Sequence, residues 1–172
     1  MVWLPHSKLT MPDVRLDAGT IKRHDASFGI RPRALPNPPP AWLRFQPNGE
    51  PYPNVIVEVA VNHQGPAKLR ADCHRYFSNT TSVCVWIGIK VWVADQKFWV
   101  GWADRSVNGN QAMIHTNMYF PPHHHPINTP VNLIYQIPMQ TVYGNGIAIP
   151  PNSPATLDID CDQIRGIIKE FL

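Results

Sequence analysis

The sequence predicts a single α/β domain in which a mixed, mostly antiparallel central sheet is flanked by helices. Three observations carry this. Residues 53–61 and 82–93 hold apolar side chains at both alternating positions, as strands buried on both faces do. Residues 66–78 and 160–172 instead repeat apolar residues at helical spacing. A chain of 172 residues, 44% hydrophobic and 16% charged, can bury one sizeable core and is too apolar to be disordered.

The elements follow in order. Val14, Leu16 and Ala18 suggest a brief first strand, and Phe28 and Ile30 lie on one alternating face after the turn residue Asp25. Residues 31–53 are a proline-rich connection that excludes helix interior and central strand. Trp42, Leu43 and Phe45 are expected to pin it to the body. Val55, Val57, Val59 and Val61 then alternate with Asn54, Ile56, Glu58 and Ala60 in a buried strand. Pro66 suits the first turn of a helix whose apolar stripe is Leu69, Cys73, Tyr76 and Phe77. The run from Ser82 to Val93 is a second buried strand, and Phe98 to Ala103 returns as its hairpin partner after a turn at 95–97. Residues 104–130 read as loop. Strands are expected at 131–137 and 141–149, the second around a Gly144-Asn145-Gly146 turn. A final helix is capped by Asp160 and Gln163, with Ile164, Ile167, Ile168 and Phe171 as its stripe. The chain is thus one domain over 1–172, with its core at about 14–103 and C-terminal strands and helix over 131–172.

Composition narrows the function classes. A net charge of +3 permits nucleic-acid binding without requiring it. No apolar run approaches the roughly 20 residues of a membrane span, and the N-terminus has no signal-peptide core, so no membrane partner is expected. Cys73, Cys84 and Cys161 form no close-spaced motif and lie in apolar contexts, which predicts reduced, buried thiols in an intracellular protein. His123, His124 and His125 invite a metal reading, but consecutive residues of an extended segment point alternately, and a solvated loop is the better expectation. The six tryptophans are read as filling and edging the sheet rather than stacking on bases.

Glu58 is the chemical signal. A carboxylate inside a strand apolar on both faces is costly unless it is paired, protonated or bound to a cation. Its ordinary reading is an arginine-paired glutamate; its functional one is a site group. Asp25 begins an earlier strand, so the two acids could converge at one end of the sheet. Two hard oxygen donors there would suit Mg²⁺ or Mn²⁺. Such an ion polarises a phosphate and acidifies a water, which Lys68, away from the stripe on the following helix, could orient. Lys68 and Asp72 also read as an ordinary i, i+4 surface pair.

The succession of 25–31 (DASFGIR), 53–64 (PNVIVEVAVNHQ), 68–77 (KLRADCHRYF) and 83–92 (VCVWIGIKVW) resembles the restriction endonuclease-like group of the PD-(D/E)XK nuclease superfamily, in the versions scattered through fungal genomes. The resemblance spans Asp25 to Trp102, and the last third follows in outline. It implies a restriction endonuclease-like sheet and metal-dependent hydrolysis of DNA phosphodiesters. Asp25 and Glu58 would be the metal-binding acids, Val59 the carbonyl donor, and Lys68 or Gln64 the group that assists water. Arg31, Arg70 and Arg75 would face DNA, and a homodimer is an assembly compatible with it. One departure stands out: the superfamily places a lysine two residues after the second acid, and here that residue is Ala60. A nuclease-like module that has lost catalysis is therefore the alternative.

Overall fold

A computed structural model describes residues 7–10, 13–15, 21–23, 26–30, 35–61, 64–78, 80–106, 115–144 and 146–170. The chain is mixed α/β. Its main sheet joins β1 (Ser7–Thr10), β4 (Ala26–Ile30), β5 (Val55–Ala60), β6 (Val85–Trp92), β7 (Lys97–Ser106) and β8 (His115–Tyr119) in that order, with β9 (His125–Pro126) also paired to β7. Two further strands, β2 (Asp13–Arg15) and β3 (Ile21–Arg23), pair only with each other. Within the main sheet β5 and β6 run parallel and the other neighbours antiparallel. The parallel step demands a crossover, and α1 (Pro66–Tyr76) supplies it. Both expected strands, the crossover helix and the hairpin β6–β7 are present, but Val59 near the end of β5, and Val61 and Val93 just past the ends of β5 and β6, are exposed rather than buried.

Alternation divides the sheet's contacts into two cores. On one face Ile56 and Ala60 of β5, with Trp86, Trp99 and Ala103, pack against Leu69, Cys73 and Tyr76 of α1. On the other, Val55, Val85, Ile87, Val91, Phe98 and Val100 meet Trp42 and Leu43 of the proline-rich connection and the C-terminal elements. These are β10 (Ile134–Pro138), α2 (Met139–Tyr143), β11 (Thr156–Asp160) and α3 (Cys161–Glu170). The sheet is thus sandwiched between helices, as its two-sided apolar strands require. The three cysteines are free and buried.

Several local expectations are corrected. Residues 139–143 are helical where a strand over 141–149 was expected; β11, from 156 to 160, is the strand that pairs with β10. The stretch 104–130 contains β8 and β9 as well as loop. Phe45 is exposed, leaving Trp42 and Leu43 as the pins. In α3, Ile164 and Ile168 pack on the core, but Ile167 is 55% exposed. Asp160 caps α3 as expected, accepting the amides of Asp162 and Gln163 at 2.8 and 3.1 Å.

Candidate active site around Glu58

Glu58 lies in a central strand and is 5% exposed. Its register partner on β6 is Gly88. That pairing has a purpose, because Trp86 folds over Gly88 so closely that an added Cβ would lie 2.1 Å from the indole. Only glycine leaves room for this approach. The indole thereby reaches across the strands, and Trp86 Nε1–H donates to Glu58 Oε2 at 3.1 Å. From above, Tyr76 at the end of α1 donates its hydroxyl to Glu58 Oε1 at 3.3 Å. The carboxylate is therefore oriented from the sheet and from the helix together.

A second charge shares this face. Lys90 pairs in register with Ala60, two residues beyond Glu58 on the same alternating side of the sheet. Strand spacing sets the Cα atoms of Glu58 and Lys90 about 8 Å apart. Lys90 is 1% exposed; its ammonium donates to the Val61 carbonyl at 3.0 Å and lies 5.5 Å from the Trp92 ring centre. Burial lowers its pKa from the ordinary lysine value. Ala60, two residues after Glu58, thus has a lysine beside it on the neighbouring strand. Sequence reasoning passed over Lys90, although the signal was the one applied to Glu58: a charge within a run apolar on both faces.

The other sequence candidates are placed differently. Lys68 is paired with Asp72 at 3.0 Å, and Arg75 lies 3.8 Å from the same oxygen. The expected surface pair exists, but its acid end is 1% exposed, because Asp72 sits on the side of α1 that faces the sheet with Leu69 and Cys73. Arg70 stacks over Phe120 at 5.6 Å. Gln64 is exposed in the connection before α1. The Val59 side chain belongs to the opposite alternation from Glu58 and is 40% exposed. Asp25 and Arg31 lie outside the described residues. The described β4–β5 ladder ends with Ala26 opposite Val57, one residue along the chain from each acid.

Arg105 of β7, also unforeseen, anchors the crossover. It is buried, stacks on Phe77 at 4.9 Å, and donates to the carbonyls of Ser78 and Thr81 at 3.2 Å each. Desolvation pulls its pKa down to about 10. By fixing the turn after α1 it fixes Tyr76, and through Tyr76 the Glu58 carboxylate. Around Glu58 the thiol of Cys73 is pushed upward by burial first and by the nearby carboxylate second.

Among the described residues no three His, Cys, Asp or Glu side chains gather as a cation site. The histidine run is divided between aromatic contacts: His124 lies 4.5 Å from the Trp92 ring and His125 5.5 Å from Phe98. None of the described helices is long and apolar enough to cross a membrane. No family model matches the chain, nor does any curated protein or solved structure.

Proposed function

We propose that the chain is a metal-dependent nuclease of restriction endonuclease-like architecture that hydrolyses DNA phosphodiester bonds. The observation that carries the reading is the placement of buried Glu58 and buried Lys90 on one face of a parallel β5–α1–β6 unit, two residues apart in register. Two opposite charges placed in an apolar strand pair at such cost are a functional signature before they are a structural one. Mg²⁺ or Mn²⁺, when bound, supplies Lewis-acid polarisation and an acidified water. Glu58 suits such an ion by the chemistry of its carboxylate, a hard oxygen donor set that Tyr76 and Trp86 orient. Asp25 would be the second acid. Tyr76 and Trp86 hold the Glu58 carboxylate in one rotamer, and Lys90 balances negative charge growing on the phosphate.

The second reading is a nuclease-like module without catalysis. It is favoured by the near-complete covering of both groups and by the engagement of both Glu58 oxygens.

The test is cleavage of supercoiled plasmid and single-stranded DNA with Mg²⁺ or Mn²⁺ by the wild type, Glu58→Gln, Asp25→Asn and Lys90→Met. The expected result is a loss of about 100-fold or more in each variant with the circular dichroism spectrum preserved. A folded wild type that neither cleaves nor binds Mn²⁺ by calorimetry would leave the module reading in place. Cleavage that survives Glu58→Gln would remove Glu58 from the chemistry.

A further inference from the structure

We infer that Trp92, with Lys97 and His124, forms a subsite that holds a single-stranded nucleic-acid segment beside the Glu58 centre. The subsite builds on the nucleic-acid reading above but not on cleavage. Trp92 closes β6 on the alternation shared by Trp86, Gly88 and Lys90, so it opens on the face that carries Glu58. Four residues of strand separate Trp92 from Gly88, the partner of Glu58, which is about 13 Å. One strand of nucleic acid spans both places.

Three basic side chains converge on this one indole. Lys90 lies beneath it at 5.5 Å from the ring centre, Lys97 at 5.3 Å from the register partner position on β7, and the imidazole of His124 at 4.5 Å. Lys90 is closed to solvent and bonded to the Val61 carbonyl, so Lys97 is the cation that an incoming phosphate meets. Asp95 answers part of the charge, with its carboxylate 2.8 Å from Lys97, but it is an exposed turn residue that a phosphate can displace. His124 is exposed and tilted 55° from the half-buried Trp92 ring, so its imidazole gives a base a solvent-side aromatic surface. A cationic rim around an aromatic plate recognises an unpaired nucleotide: phosphate by charge, base by its π-face. A paired base cannot offer that face, so the preference is for single strands.

The experiment is fluorescence anisotropy of a labelled oligothymidylate of about twelve nucleotides, and of a duplex of equal length, titrated with the full chain without divalent metal. The single strand should bind more tightly than the duplex. Trp92→Leu should weaken it about tenfold, and Lys97→Ala should lower the salt slope by about 0.7. Asp95→Asn should tighten it about threefold by releasing Lys97, a gain that misfolding cannot imitate. Equal binding of single strand and duplex, or unchanged affinity in both Trp92→Leu and Asp95→Asn, overturns the subsite. Binding with these responses but without cleavage keeps the subsite and removes the nuclease; cleavage with no response to Trp92→Leu does the reverse.

Discussion

A buried charge states its cost through pH. Lys90 has a pKa below the ordinary lysine value because burial penalises the ammonium. Between that lowered value and the roughly 10.4 of an unfolded lysine, the unfolded chain binds more protons than the folded one, so stability rises with pH in that window. Below it the full cost is present. Lys90→Met, which keeps the stem and deletes the charge, is therefore expected to match or exceed wild-type stability at neutral pH and to lack the alkaline rise. Urea midpoints at about pH 7 and pH 10 would show it; a variant much less stable at pH 7 would contradict it. Gly88 presents a steric case. A Cβ there must push aside the indole that binds Glu58. Gly88→Ala should cost about 1–3 kcal/mol by overpacking, read as a lower urea midpoint with altered tryptophan emission.

At the scale of elements, the C-terminal helix is held by its first turn as well as by the Ile164 and Ile168 side of its stripe. Asp162 of α3 accepts the amides of Val131 and Asn132 at 3.0 and 2.8 Å and the Arg165 side chain at 2.8 Å. These donors favour the ionised form, the Val131 amide most of all, and bring its pKa from 3.8 to about 2. A depressed carboxylate pKa gives stability that is complete above the unfolded value and lost as pH falls through the folded one. The tie between α3 and the segment before β10 should therefore weaken between about pH 4 and pH 2. Asp162→Asn should lower the thermal midpoint at pH 6 and make the acid limb shallower; identical limbs in both proteins would exclude the mechanism. The crossover helix α1 is held from its other end, where Arg105 gathers the carbonyls that follow it.

At the scale of the whole molecule, the cysteines report on both cores at once. Cys73 lies in the core beneath α1, and Cys84 and Cys161 lie in the core beneath the C-terminal elements. Burial raises all three thiols, Cys84 to about 12 and Cys161 to about 11. Native protein at about pH 8 should label none of them with a thiol-exchange reagent, and denatured protein all three. Labelling of Cys73 alone would mean that α1 opens independently of the opposite face. What the sequence by itself determined is the set of elements whose pattern is local: β5, β6, the hairpin return of β7, the amphipathic α1 and α3, and the buried acid among the valines. Apolar alternation and helical spacing report burial directly, so these were legible. Short strands such as β1, β9 and β11, and helix α2 where a strand was expected, rest on partners distant in the chain. Only the tertiary structure decided which charges share a face. Lys68, four residues from Asp72 on one helix, pairs with it there, while Lys90, thirty-two residues beyond Glu58, comes onto the face of Glu58 because a parallel register sets Ala60 against it. Register is a property of two strands together, and no single stretch of sequence contains it.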